Sequence, residues 1–500
     1  MIPLCTRASV RELDRDAVAR LGVPGLVLME NAGLGATLAL MARFGECLGH
    51  VVVACGVGQN GGDGWVVARQ LALRGVPVVA VLIGDEARVK GDAATNLAAA
   101  RASGIRVQAG TAALESALAT ATLAVDALFG TGLDRPLAGD DARAVALLDG
   151  SGVPVVSLDL PSGIDADTAA VLGAAVHAAL TITFAAHKRG LHQHPGVDHA
   201  GEVVLVSIGV EGPADAPAHL VDRADVAALV PARARDAHKG SAGHVLVVAG
   251  APGRTGAALL AALGAARAGA GLVTIAASEP GRAALDAKVL EAMTAELPTH
   301  GAAEAALALA AGKSSAVVGP GVGTDERARA LLVALAERLP IPAVLDADAL
   351  TALAGDLARL RHAAAPRVLT PHPAEAARLL GVTTAEVQRD RYGAAERLAR
   401  ESGQVAILKG ARTIVGVPDG TLYVIRAGTP ALASAGTGDV LAGIVGALLS
   451  IVAPRDAAIA GAALHAVAGE LAARSDRGLL AGEVAAALPS ALEACREADR

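Results

Sequence analysis

The string Gly56-Val57-Gly58-Gln59-Asn60-Gly61-Gly62-Asp63-Gly64 directly follows the β-branched run VVVAC. Five glycines in nine positions between a strand and a helix let backbone amides approach a ligand closely. Gly56, Gly58 and Gly61 satisfy the G-x-G-x-x-G pattern of dinucleotide sites, although a tight turn without a ligand has the same composition. Two further segments carry chemistry-bearing residues at strand ends. TLAVDALFG holds Asp126 and is followed by Gly130-Thr131-Gly132-Leu133-Asp134-Arg135-Pro136, and VVSLDLPSGIDADT holds Asp159 and Ser162. Open α/β sheets bind ligands at the C-terminal ends of their strands, so the three loops are expected to converge on one crevice. A single aspartate in such a loop serves equally well as a helix cap.

A second constellation lies near the C-terminus. Ala433-Ser434-Ala435-Gly436-Thr437-Gly438-Asp439 precedes the apolar helix VLAGIVGALLS. Small residues at a helix N-terminus expose amides and the positive end of the helix dipole, which suits a phosphate. A carboxylate there can take a proton from a hydroxyl that attacks phosphorus, or merely cap the helix.

The elements that must hold these loops alternate. Strands are predicted at His50–Ala54, Val78–Ile83, Thr122–Asp126 and Pro154–Leu158, with helices at Trp65–Arg74 and Gly91–Ser103 between some of them. After the Pro- and acid-containing stretch Val210–Ala218, read as a linker, the pattern restarts. Strands follow at 244–249, 272–276, 316–318, 343–345, 367–369 and 405–408, with helices at 256–268 and from Asp439, Asp456 and Ala481. Strands alternating with helices imply parallel sheets, and 500 residues imply two α/β domains.

With 53% hydrophobic, 19% charged and only 1% aromatic residues, the cores must be built from Ala, Val, Leu and Ile. The net charge of -7 argues against a nucleic-acid partner. Cys5, Cys47, Cys55 and Cys495 form no C-x-x-C pair and read as reduced, buried thiols of a cytoplasmic protein. The N-terminus lacks a signal-type apolar core, and the most membrane-like run, Val440–Pro454, is too short to span and reads as a core helix.

The glycine loop, together with LMENAG at Leu28–Gly33, resembles the G-x-G-N-N-G-G-D-G loop of the NAD(P)H-hydrate epimerase family, with Gln59 in place of the first Asn. That resemblance implies a Rossmann-like three-layer sandwich over 1–212. It implies K+ held by Asn60, Asp126 and Ser162, and Asp159 as the catalytic acid/base. Substrate contacts are implied from Gln59, Asn60, Gly61, Gly62, Asp63 and from Gly130, Thr131, Gly132, Leu133, Asp134, Arg135 and Pro136. The G-x-G-D string resembles ribokinase-like proteins, and its companions point to the ADP-dependent NAD(P)H-hydrate dehydratase branch. They are HKG at His238–Gly240, GPGVG at Gly319–Gly323, VLDADAL at Val344–Leu350, TPHPAEAARLL at Thr370–Leu380 and LKGARTIV at Leu408–Val415. The branch shows His372-Pro373-Ala374-Glu375 where related vitamin kinases have N-x-x-E, with Ala374 replacing a usual Gly.

This second resemblance implies a ribokinase-like domain over 222–495 with Asp439 as catalytic base. Ala257, Gly321 and His372 would contact the hydrated nucleotide together with Asp439. Lys409, Gly410, Ala411, Arg412, Thr413 and Gly438 would contact ADP or ATP with Mg2+. Together the resemblances cover nearly the whole chain. They imply a bifunctional enzyme that epimerises NADHX and NADPHX and dehydrates the S form, without nucleic acid or membrane and as a homo-oligomer.

Three rivals stand beside this reading: a vitamin or sugar kinase with an accessory domain, an NAD-dependent oxidoreductase, and a non-catalytic nucleotide sensor. His187, His192, His194 and His199 in AHKRGLHQHPGVDHAG have spacing that reaches zinc only by loop folding, and a solvated loop is expected. In the same loop Lys188 and Arg189 either approach substrate phosphates or face water.

Overall fold

Val51, Val53 and Cys55 sit in one hydrophobic core while Val52 and Ala54 sit in another. Alternate side chains of one strand thus face opposite layers, which is why the strand reads as an unbroken apolar run. The computed structural model describes residues 1–45, 48–210, 212–213 and 215–499. Cys47 and the linker residues Glu211 and Ala214 lie outside the described residues. Two compact units result, Ile2–Ala218 and His219–Arg500, with Met1 grouped with the second.

The first unit holds a seven-stranded sheet in the order Arg106–Ala109, Val78–Leu82, Val51–Cys55, Leu123–Ala127, Val155–Leu158, Leu180–Phe184, Glu202–Val206. Every pairing in it is parallel. The helices Gly25–Phe44, Gln59–Leu73 and Gly91–Ala102 pack on one face. Thr111–Leu118 and Gly139–Asp149 pack on the other, giving the three-layer sandwich expected of this half. Strand order reverses between Val51–Cys55 and Leu123–Ala127, the point where such sheets open a crevice. A short strand, Ile2–Cys5, pairs in parallel with His187–Lys188.

Gly25–Phe44 is the described helix long and apolar enough to cross a membrane by length and composition, so the reading of Val440–Pro454 as the most membrane-like run is corrected. Its buried face is part of the core: a side chain on Gly33 would strike Val66, and one on Gly62 would strike Met29. That contact explains physically why LMENAG accompanies the glycine loop.

The second unit has a sheet in the order Met293–Leu297, Leu272–Ser278, His244–Val248, Ser315–Val318, Ala343–Leu345, Arg367–Leu369, Val405–Leu408, all parallel. Ile414–Gly416 and Leu422–Ile425 extend it antiparallel. Ala218 opens the strand Ala218–Val221, so the last residue of the expected linker is already structured. Helices Thr255–Arg267 and Thr437–Leu448 cross at backbone contact, since a Cβ on Gly264 would meet the Val440 carbonyl and one on Gly443 the Ala261 carbonyl. The segment 440–448 is buried throughout, as the core-helix reading expects.

Candidate active sites

In the first unit the loops at the strand ends enclose a cavity of about 550 Å³. Gln59, Asn60 and Asp63 from the glycine loop line it, as do Gly130, Thr131, Gly132, Leu133 and Asp159. Gly61 and Gly62 lie beneath it instead: a Cβ on Gly61 would collide with the Gly56 carbonyl, so this turn needs glycine to close. Asp134, Arg135 and Pro136 are exposed and do not line the cavity, and Arg135 pairs with Asp141 at 3.4 Å.

Asp159 follows the strand Val155–Leu158 with φ of 67°, a left-handed conformation uncommon outside glycine but tolerated by Asp. Its N–H donates to the Ile182 carbonyl at 2.8 Å, which fixes that backbone. Its Oδ2 accepts from the Thr131 N–H at 2.9 Å and its Oδ1 lies 2.6 Å from the Lys188 ammonium. Lys188 is fully buried and donates also to Thr183 Oγ1 at 2.9 Å and the Phe184 carbonyl at 2.7 Å. Three acceptors around one buried ammonium satisfy its three donors. Asp63 shares the cavity. Loss of water, then the nearby Asp159 and Asp14 carboxylates, hold its carboxyl well above the ordinary range against the pull of Lys188.

Asp126 sits under this floor with no exposed surface. It accepts from Ser162 Oγ at 2.6 Å, Ser162 N and Ser157 Oγ at 2.8 Å, and Leu128 N at 3.2 Å. Burial pushes its carboxyl up, while these bonds, those from Ser162 foremost, pull it down. Among the described residues no cation pairs with it. Both polar atoms of the Asn60 amide are buried and lack a protein partner. Carboxylate, hydroxyl and amide oxygens are of the type a hard cation takes as ligands, and Asn60, Asp126 and Ser162 are each buried.

The histidine loop is not solvated, which corrects the sequence expectation. Lys188, Gly190, Leu191, His192 and Gln193 are buried, and His187 Nδ1 meets His192 Nε2 at 3.0 Å. Among the described residues no group of three or more His, Cys, Asp or Glu is arranged to hold a metal.

In the second unit Asp439 occupies the first turn of Thr437–Leu448, after Gly436 in a left-handed conformation. Burial first, then the Asp346 carboxylate, raise the Asp439 carboxyl to about 6 against the pull of Lys409. Lys409 bridges to Asp346 Oδ1 at 2.9 Å and lies 4.0 Å from Glu375 Oε2. A Cβ built on Gly438 would stand 3.3 Å from the Lys409 ammonium, so the lysine reaches the anion-type turn itself. Asp346 is 2% exposed and accepts from Thr370 Oγ1 at 2.7 Å.

His372 caps the helix Pro373–Leu380 through Nδ1, which accepts from Ala374 N and Glu375 N at 3.1 and 3.3 Å. Burial first, then Lys409 and Arg378, lower its pKa and keep the ring neutral near pH 7. Gly321 and Ala257 come together, since a Cβ on Gly321 would be 3.3 Å from that of Ala257. Lys409 is thus joined to the acidic cluster, whereas Gly410 and Ala411 are exposed beyond it and Arg412 and Thr413 are half-buried. Asp346, Arg391 and His465 escaped the sequence reading. Arg391 donates to the Lys409 carbonyl at 3.2 Å and His465 Nε2 meets the Thr437 carbonyl at 2.9 Å.

Residues 25–190 match the family model described as YjeF-related protein N-terminus, and 245–490 the one described as NAD(P)H-hydrate dehydratase. A protein of Moorella thermoacetica named bifunctional NAD(P)H-hydrate repair enzyme Nnr is 40% identical, over 99% of this chain and 97% of that one. A protein of the same name from Coxiella burnetii is 38% identical over 97% and 98%. A solved Bacillus subtilis structure, titled an ADP/ATP-dependent NAD(P)H-hydrate dehydratase co-crystallised with ATP/Mg2+, is 30% identical. It covers 55% of this chain and 98% of its own, with a TM-score of 0.49. With identity of this order along almost its whole length, the chain belongs to the family of bifunctional NAD(P)H-hydrate repair enzymes.

Proposed function

We propose that the chain restores hydrated NADH and NADPH in two steps, with an epimerase over 1–212 and a nucleotide-dependent dehydratase over 222–495. The observation that carries this reading is that one chain holds both the Asp159–Lys188 pair at a cavity of about 550 Å³ and Asp439 beside Lys409 at a glycine turn.

In the first site, Gln59, Asn60, Asp63 and the Gly130–Leu133 turn face the nicotinamide portion of the substrate. Asp159 stabilises the iminium formed when hydroxide leaves C6 and accepts or returns a proton as water re-adds to the opposite face. Lys188 fixes the orientation of the Asp159 carboxyl through its 2.6 Å contact with Oδ1. Asn60, Asp126 and Ser162 are the residues that would hold K+, which when bound supplies charge compensation for Asp126. Gly61, Gly62, Asp134, Arg135 and Pro136 act by shaping the loops.

In the second site, the C6 hydroxyl of the S form attacks the terminal phosphorus of ADP or ATP, and Asp439 takes its proton. The bond to the bridging oxygen breaks and AMP (or ADP) leaves. The ring nitrogen lone pair then expels phosphate from C6, and loss of a C5 proton restores the dihydropyridine. Ala257, Gly321 and neutral His372 face the hydrated ring. Gly438, Lys409 and Gly410–Thr413 face the adenylate, and Asp346 and Glu375 are the carboxylates that would hold Mg2+, which when bound would supply positive charge to the nucleotide. The free, buried thiols Cys5, Cys55 and Cys495 suit a reducing, cytoplasmic setting.

The test is an assay of purified chain on mixed hydrate epimers with ADP, ATP or neither. Full recovery of absorbance at 340 nm with nucleotide, and none without it, is expected. Recovery that needs a second redox substrate, or a stable phosphorylated product, would replace this reading with the oxidoreductase or kinase rival.

A further inference from the structure

Arg7 opens the helix Arg7–Ala19, and its guanidinium is turned away from solvent. Nε donates to the Thr131 carbonyl at 2.6 Å, and Nη2 to the Leu133 carbonyl at 2.6 Å and to Asp165 Oδ2 at 2.9 Å. Its backbone N–H donates to Asp167 Oδ1 at 2.7 Å. Asp165 is itself fixed, since Oδ1 accepts from Asp167 N, Thr168 N and Thr168 Oγ1 at 2.8 to 3.0 Å. The guanidinium therefore ties the Gly130–Leu133 turn to a rigid post.

Thr131 is held from both sides. Its carbonyl accepts from Arg7 and its N–H donates to Asp159 Oδ2. The strand just before Arg7 pairs Cys5 with Lys188, the other partner of Asp159. One short N-terminal arm thus touches the supports on both sides of the Asp159 carboxylate. The arm lies ahead of residue 25, where the N-terminal family match begins.

We propose that the arm Ile2–Arg7 is a clasp on the first site and that Arg7 is a positioning residue for Asp159, acting through the backbone of Thr131. The inference rests on the reading of this site as the epimerase. A planar fork can hold two carbonyls and a carboxylate at once, whereas an ammonium on a flexible stem holds fewer in fixed directions.

The experiment uses the full chain and its Arg7→Met and Arg7→Lys variants. Epimerase kcat and KM are measured separately, and dehydration of the S form in the same chain reports on folding. Misplacing a reacting group by about 1 Å costs up to roughly a hundredfold. Arg7→Met is therefore expected to lose roughly ten- to a hundredfold in epimerase kcat with KM changed less than about threefold. Arg7→Lys is expected to fall between the two, and dehydratase activity to stay within about twofold of the parent. Epimerase kcat within about twofold in Arg7→Met, or an effect confined to KM, overturns the inference. So does an equal loss of both activities in Arg7→Lys, which would mark a merely structural arginine. A parent chain that does not epimerise takes down the reading of the site as well. A parent that epimerises beside an unaffected Arg7→Met takes down this inference alone.

Discussion

Asp159 Oδ1 and the Lys188 ammonium lie 2.6 Å apart, and the lysine has no exposed surface at all. Removing one member of such a pair leaves a charge without water or a partner, at a cost of about 3 kcal/mol. Lys188→Met is expected to lower both stability and epimerase kcat. Adding Asp159→Asn to it should recover part of the stability without activity, because no charge is then left alone. Urea unfolding of the parent, both single variants and the double variant checks this; strict additivity would mean the pair is not coupled.

Asp159→Asn alone should stop exchange between R and S forms while dehydration of pure S substrate continues, and Asp439→Asn should do the reverse. Substrate supplied as separate epimers distinguishes the two losses. Full dehydratase activity in Asp439→Asn would remove its assignment as base.

The Asp439 carboxyl, raised to about 6, must be ionised to accept the hydroxyl proton. Dehydratase kcat/KM is expected to fall as pH drops below about 6. The same shift sets the sign for stability. Because the folded chain holds this proton more tightly than the unfolded one, ionisation costs stability as pH rises from about 4 to 6. Asp439→Asn should therefore gain in Tm over that window and keep the gain above it, and a gain largest at pH 4 would contradict the shift.

Ser162→Ala removes the donor to Asp126 at 2.6 Å and the acceptor of Phe129 N at 2.9 Å. A buried acceptor stripped of its partner costs about 1–3 kcal/mol. Epimerase activity of the parent should rise when choline is exchanged for potassium, and that activation should shrink in the variant. Equal rates in the two salts would leave Asn60, Asp126 and Ser162 without a potassium role.

Gly438→Ala would place its Cβ 3.3 Å from the Lys409 ammonium, at the far end of a flexible side chain. The fold should survive, while the space for a phosphate at the turn is reduced. Roughly tenfold higher KM for ADP is expected with epimerase kinetics unchanged, read from initial rates against nucleotide concentration.

Much of this architecture was legible because its central strands are buried on both faces. Val51–Cys55 and Leu123–Ala127 are apolar runs for that reason, apart from Asp126. Arg106–Ala109, Met293–Leu297 and Glu202–Val206 escaped notice because they lie at sheet edges and are half exposed, so no run forms. Leu180–Phe184 is wholly buried, yet Thr181 and Thr183 interrupt it, and Thr183 is needed as an acceptor for Lys188. Asp159 and Asp439 stand out in the sequence because Asp159 lies at a strand end in a segment resembling a known family and Asp439 closes a G-x-G-D turn. Lys188 reads there only as approaching phosphates or facing water, and Arg7 not at all, because a cation in a histidine-containing loop or at a helix start looks solvent-facing until partners 29 and 124 positions away enclose it.

The poverty in aromatic residues has a practical corollary. Trp65 is the sole tryptophan of the chain, and it is fully buried in Gln59–Leu73, the helix that carries Asn60 and Asp63. Its emission therefore originates in the core beneath the helix that carries two lining residues of the first cavity, so a spectral change on ligand addition reports on that unit, with no competing indole signal from elsewhere in the chain.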